Sequence, residues 1–256
     1  MDYITELMSP QVFAMAMIVA LLAGVVKGMV GFAMPLIIIS GLSTVLEPRL
    51  ALAGLLFPTL LSNLWQSLRQ GPAAALASVK HFKVFIIVGG IALAVSAQMV
   101  RVIPAATLFI LIGGPVLVFT LIQLLGWRPR IAPQHRTRFE ATAGLIAGAM
   151  GGFSGTWGPP TVLFLVALNT PKLDQIRVQG VLFGLGAIVL LLAHIGSGVL
   201  RTDTLPFALS TVPPAMAGMW VGTRLSDRID QEAFRRATLF VLLIAALNLL
   251  RRGILG

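Results

Sequence analysis

Lys27 is the only charged residue between positions 7 and 46, a stretch otherwise made of apolar and small residues. An ammonium placed at bilayer depth costs roughly 2.5–3.5 kcal/mol or more, so an ionisable residue there is a functional candidate by default. Its chemistry is anion attraction. The bland alternative is a lysine that snorkels to the interface, which its central position disfavours. Arg177 opens a later apolar run and has a guanidinium that can grip an oxyanion bidentately; it also suits a plain topology charge. Asn63 and Gln66 lie one helical turn apart and can line a pathway or bond neighbouring helices. Trp65 between them suits a membrane-interface anchor.

A second group sits in GGFSGTWGPP, residues 151–160, with four glycines and two prolines in uncharged surroundings. Ser154, Thr156 and Trp157 bring hydroxyls and an indole, while Gly155 and Gly158 allow backbone N–H groups to approach a ligand closely. Ser154 also falls in a G-x-S-G pattern, with His194 on a later span. That pair admits a rival reading, an intramembrane serine protease. A non-transporting membrane scaffold is a third. Neither accounts for Lys27, and no catalytic residue is assigned. Gln179 and His194 read as helix–helix contacts.

What is missing narrows the chemistry. There is no cysteine, which removes disulfides, iron–sulfur clusters and thiol relays. Histidines at 81, 135 and 194 are too scattered for a metal site, and no cofactor is expected. All nine acidic residues, Asp2, Glu6, Glu47, Glu140, Asp174, Asp203, Asp227, Asp230 and Glu232, fall in terminal or loop segments. No carboxylate is therefore expected at the midplane for a proton relay or a sodium site. Moving an anion out of a negative-inside cell needs none, because the potential supplies roughly 2.3 kcal/mol per charge per 100 mV.

The elements that must hold these residues are transmembrane. The chain has 256 residues, 57% hydrophobic and only 11% charged, with a mean hydropathy of +0.93. Soluble domains carry about 25% charge. The net charge of +10 is spread over short inter-helix segments, which is the pattern of cytoplasmic loops and not of a nucleic-acid surface. The first residues lack a basic n-region, so no cleaved signal peptide is expected. Apolar runs cover residues 7–46, 50–68, 84–100, 102–127, 141–171, 178–200, 204–223 and 237–250. The last is short, with arginines at 235, 236, 251 and 252 expected to snorkel.

Two runs are too long for one helix. Forty residues would reach roughly 60 Å against a hydrocarbon core of about 30 Å. Each long run holds a glycine cluster followed by proline: GMVGFAMP from residue 28 and GAMGGFSGTWGPP from 148. Both are expected to be broken helices or hairpins, with Pro35 and Pro159 in the first turn after the break. AGVVKGMVG (23–31) matches AGLIAGAMG (143–151), GLLF (54–57) matches GVLF (180–183), and ATLF recurs at 106 and 237. The spacing implies two repeats, residues 1–127 and 141–256, joined by a basic cytoplasmic linker at 128–140. With each broken run as a hairpin, thirteen basic residues fall inside and five outside. With each crossing once the split falls to ten against eight, so hairpins and inverted repeats are preferred. The expected fold is an all-α polytopic membrane protein with two inverted repeats. Each is a broken helix or hairpin followed by three transmembrane helices, eight to ten membrane elements in all. Both chain termini lie outside. The two breaks, Gly31 and Phe32 on one side and Ser154 to Gly158 on the other, then face each other as an anion site built from helix N-termini. The alternative for Gly24, Gly28, Gly144 and Gly148 is close helix packing.

AGVVKGMVGFAMPLIII, LLFPTLLSNLWQSLRQG and GLIAGAMGGFSGTWGPPTVLFLVALNTPKLDQIRVQGVLF together resemble the sulfite exporter TauE/SafE family, also called the toluene-sulfonate uptake permease group. The most specific part is the glycine stretch ending in Gly-Pro-Pro, then a Pro-Lys loop and an arginine in the next helix. The resemblance implies a secondary transporter of small sulfur-containing or organic anions, sulfite or organosulfonates, often outward. It also implies a bacterial inner membrane location, lipid and a small anion as partners, and leaves homodimerisation open. Two positions depart from the family pattern: Lys27 where glutamine is expected, and Ala33 where glycine is expected.

Overall fold

The computed structural model describes residues 7–126, 132–168, 170, 172–225 and 231–255. Asp2, Glu6, Arg128, Arg130, Asp227, Arg228 and Asp230 lie outside the described residues. Within them the chain is helical, with no strand. Ser9 caps the first helix, α1 (Pro10–Val30), by accepting the Val12 N–H at 3.4 Å, and Pro10 sits in its first turn. α1 stops at Gly31, whose left-handed backbone (φ 84°) turns its N–H back to the Lys27 carbonyl at 2.8 Å. After Phe32 and Ala33 the chain restarts as α2 (Met34–Leu42). Then come α3 (Pro48–Leu68), α4 (Pro72–His81), α5 (Lys83–Met99) and α6 (Ala105–Leu124).

A short 3-10 turn, Pro133–His135, leads into α7 (Arg136–Ser154), so helix begins within the basic segment before residue 141. α7 ends as α1 does. Gly155 is left-handed (φ 66°) and its N–H returns to the Gly151 carbonyl at 2.7 Å. α8 (Gly158–Ala167) starts with proline in its first turn. α9 (Lys172–Gly196), α10 (Leu205–Ser210), α11 (Val212–Leu225) and α12 (Gln231–Leu255) complete the chain.

Both breaks turn the chain back. A Cβ added to Gly41, at the end of α2, would come 2.9 Å from Val19, in the middle of α1. Phe164 of α8 stacks on Phe85 (ring centroids 6.0 Å, 18° apart), and the Phe85 backbone abuts Gly144, early in α7. The expected hairpins are thus the observed geometry.

The closest-packed helix pairs are α5 with α7, α1 with α11, α6 with α12 and α3 with α9. Two of these are glycine seams. Gly24 and Gly28 of α1 lie against Gly218 and Gly222 of α11, where a Cβ on Gly28 would stand 2.7 Å from the Thr223 nitrogen. Gly144, Gly148 and Gly152 of α7 lie against α5, where a Cβ on Gly152 would stand 2.6 Å from the Ala97 nitrogen. Backbone meets backbone in both, which is the role of small residues in membrane helix pairs.

Polar contacts sort the loops into two sets. Arg49 donates to the carbonyls of Arg101 (3.1 Å) and Ile103 (3.4 Å), and Arg252 to that of Ser43. Arg136 meets His81 at 2.6 Å, and Arg177 reaches Gln70 and Ser78. None of these contacts joins a residue expected inside to one expected outside. Pro10–Met29, Ala105–Leu124 and Asp174–Gly196 are long and apolar enough to cross a membrane. The pair Pro72–His81 and Lys83–Met99 passes the same test together. Large apolar side chains point outward, Ile87, Ile91 and Val95 on α5 and Leu192 and Ile195 on α9 among them. The protein is an all-α polytopic membrane protein.

Three sequence expectations need correction. The run at 84–100 is preceded by a second helix, α4, bent from α5 by 80°. The run at 204–223 is split at Thr211, whose hydroxyl donates to the Gly54 carbonyl at 2.7 Å. The last helix is not short: α12 has 25 residues and takes in positions 235, 236, 251 and 252. Hydropathy stops at charge, whereas a helix continues through it wherever the charged ends reach water.

Candidate functional site

The two breaks meet. One cavity is lined by Lys27, Phe32, Ala33, Pro35 and Leu36 from the first hairpin and by Thr156, Trp157 and Gly158 from the second, closed by Asn63 of α3 and Phe183 of α9. It has room for about one water molecule. Phe32 and Phe183 flank Gly158, each close to where a Cβ on that glycine would project. Trp157 is buried and meets Phe183 edge-on at 6.3 Å.

Lys27 is 1% exposed, the one lysine or arginine buried among the described residues. It sits in the last turn of α1, where unpaired carbonyls and the negative end of the helix dipole favour a cation. Its ammonium donates to Asn63 Oδ1. Among the described residues no carboxylate forms an ion pair with it. Asn63 Nδ2 is buried without a partner. A lysine without a carboxylate partner among the described residues and a spare amide donor therefore share one cavity wall.

Backbone donors add to this. At the start of α2, Met34 and Leu36 carry N–H groups with no intrahelical carbonyl, and Pro35 carries none. At the start of α8, Gly158 has an N–H but Pro159 and Pro160 do not. The second break offers hydroxyls instead. Ser154 and Thr156 bond each other through their oxygens, Ser154 also donates to the Met150 carbonyl at 2.8 Å, and the Thr156 N–H reaches Ser154 Oγ at 3.2 Å. Ser154 thus shapes the turn from behind, and Thr156 faces the cavity.

The remaining predicted residues fall nearby. Gly31 caps α1 beside the amides of Gln66 and Gln179. Gln66 Nε2 donates to the Ile176 carbonyl at 2.9 Å, while Gln66 Oε1 and Gln179 Oε1 are buried without partners. Gly155 lies against Leu55, away from the cavity lining. Arg177 lies off the cavity as well. It pairs with Asp174 (3.0 Å), Ser78 (3.2 Å) and Gln70 (3.0 Å). Trp65 is 64% exposed, on the outer surface. His194 bonds Ser197 at 2.9 Å. Ser154 is satisfied by Thr156 and Met150, so no bond joins the two residues of the protease reading among the described residues.

Sequence reasoning missed Phe183, Pro35, Leu36 and Ala33 as lining residues. Ala33 had a signal, since it stands where glycine was expected. It is the only described non-glycine residue with positive φ, at 77°.

The chain matches the family described as Sulfite exporter TauE/SafE over residues 16–249. No curated protein and no solved structure matches it.

Proposed function

The chain belongs to the sulfite exporter TauE/SafE family, and from that premise we propose that it carries small sulfur oxyanions or organosulfonates outward through the cavity between its two helix breaks. That such a family member is a membrane transporter of a small anion follows from the family itself. The observation that carries the finer reading is Lys27, a buried lysine with no carboxylate partner among the described residues, at the meeting point of two helix starts. An oxyanion there takes the missing counter-charge from Lys27, one donor from Asn63 Nδ2, and backbone N–H groups from Met34, Leu36 and Gly158. Thr156 contributes its hydroxyl by turning its proton from Ser154 Oγ, which itself donates to the Met150 carbonyl, to the anion. Phe32, Trp157 and Phe183 exclude water and strengthen every polar contact inside.

With room for about one water, the cavity is too small for an oxyanion as it stands, and loading one requires a hairpin to move. The matched hairpins support two inverted repeats, 1–127 and 141–256, exchanging inward and outward openings. Their cap geometry pairs Gly31 with Gly155, one helical turn beyond the Gly31–Gly151 match in the sequence. The charge separation supports a multi-pass protein of a bacterial inner membrane with the 128–140 segment in the cytoplasm.

Flux into proteoliposomes of sulfite, methanesulfonate and acetate, at a clamped potential, tests this. Wild type should move at least one sulfur oxyanion, and Lys27→Ala should slow it at least tenfold. No flux of any of them, or equal flux in the variant, would refute the reading.

A further inference from the structure

The unpartnered glutamine oxygens at Gly31 lie beneath a polar layer with no counterpart yet described at the other break. Ile176, at the start of α9, packs on Gly31, and its carbonyl is held by Gln66 Nε2 at 2.9 Å. The next residue, Arg177, ties the same turn to the α3–α4 corner. Its Nη1 donates to Gln70 Oε1 at 3.0 Å, its Nε to Ser78 Oγ at 3.2 Å, and its Nη2 meets Asp174 Oδ1 at 3.0 Å. The Arg177 and Asp174 side chains are 23% and 44% exposed, so water reaches both. Leu55 covers the other break instead, its side chain 2.5 Å from where a Cβ on Gly155 would stand.

From this we infer that Arg177 is a second, peripheral anion site at the mouth nearest Gly31, occupied in this arrangement by the Asp174 carboxylate, and that a transported anion displaces Asp174 to unlatch the turn over Gly31. The inference rests on the anion-transport reading and adds to it where the anion first docks. The chemistry is one of like for like. A carboxylate and a sulfonate or sulfite present similar oxygens to a guanidinium fork. An exposed ion pair is weak enough for a solute to exchange with. Arg177 can pass from Asp174 to the anion while Gln70 and Ser78 keep its guanidinium aimed. Because residues 174–177 form one helical turn, releasing Asp174 loosens the segment that carries the Ile176 carbonyl to Gln66. The break then opens to the Arg177 face. The anion carries its own charge past a cation, so no other species is consumed.

The 256-residue chain has no cysteine, so single reporters are available. Gln179→Cys, buried beside Gly31, is reconstituted in liposomes and treated on both faces with a cationic, membrane-impermeant methanethiosulfonate. The rate is read with sodium methanesulfonate and with sodium gluconate as the bulky control. Methanesulfonate is expected to raise the labelling rate at least threefold. Asp174→Asn should raise it equally without the anion and abolish the anion's effect. Arg177→Gln should abolish the anion's effect as well. Ile176→Cys serves as a second reporter should Gln179→Cys fold poorly. Labelling unchanged by methanesulfonate, or an anion effect that survives in Arg177→Gln, overturns the inference. Labelling does not depend on passage through the central cavity. Absent flux with intact anion-stimulated labelling would therefore sink the transport reading and leave the peripheral site standing.

Discussion

The break at Gly31–Ala33 and the break at Gly155–Trp157 close their first helix in the same way and differ in side chains and in how the chain restarts, Ala33 at φ 77° and Trp157 at φ −100°. Each follows a long helix closed by a left-handed glycine whose N–H returns to the carbonyl four residues back. Each precedes a short helix with proline in its first turn. The first carries the charge, Lys27, with amides from Asn63, Gln66 and Gln179 around it. The second carries the Ser154–Thr156 hydroxyl pair and a buried Trp157, and its second proline, Pro160, removes an N–H that the first break keeps at Leu36. On the proposed reading, one half holds the charge of the ligand and the other shapes the volume around it. Two alike helix ends here carry unlike side chains.

The largest expected effect treats the two halves alike. Gly28→Leu and Gly148→Leu should each destabilise the protein by several kcal/mol, because the added side chain meets backbone and not a movable side chain. Thermal unfolding in detergent reads this. Near-native melting in one but not the other would show that the two glycine seams are not equivalent.

Removing charge should separate the halves. Lys27→Ala deletes a charge-assisted contact of roughly 1.5–3 kcal/mol, which corresponds to a ten- to hundredfold loss of anion affinity. Lys27→Gln, which restores the residue expected of the family, should keep part of the flux and change the order of preferred anions. Thr156→Val should cost less, about threefold to tenfold, by the loss of one neutral hydroxyl. Equal losses at Lys27 and Thr156 in a titration of purified protein would erase the asymmetry.

Gly155 and Gly158 sharpen it further. Gly155 is left-handed, and a Cβ there would come 2.5 Å from Leu55. Gly155→Val should therefore lower the melting temperature, with strain alone costing about 1–2 kcal/mol. At Gly158 a Cβ meets only Phe183 at 3.8 Å and Phe32 at 3.9 Å, ordinary contact, and projects toward the cavity. Gly158→Val should keep near-native melting and lose anion binding by about tenfold or more. Normal calorimetric affinity in Gly158→Val would place the anion elsewhere.

The smallest effect belongs to the first break. Ala33 holds φ 77°, which glycine adopts without strain. Ala33→Gly should stabilise the protein by less than about 1 kcal/mol, since relieved strain is offset by lost burial and added chain entropy. A lowered melting temperature would mean that the Ala33 methyl group packs more usefully than its backbone suggests.

Composition and charge spacing determined much by themselves. A chain this apolar must satisfy its backbone within helices. Runs too long to cross once, each with glycine and proline at its middle, pointed to broken helices or hairpins, and the charge split favoured hairpins. Lys27 was conspicuous because nothing else in its run is charged, and the GGFSGTWGPP stretch because helix breakers are costly there. Tertiary structure decided the rest, because a lining residue is defined by what faces it. Phe183 is an ordinary helix residue until Trp157 and Gly158 are set beside it. Asn63 and Gln66 looked alike on one helix face, yet α1 and α9 give the first to the cavity and the second to the Ile176 carbonyl. Arg177 had the right chemistry, but a guanidinium binds what its neighbours leave within reach, and Asp174, Ser78 and Gln70 hold it at the rim. Spacing along a helix fixes which face a side chain occupies; only packing fixes what that face meets.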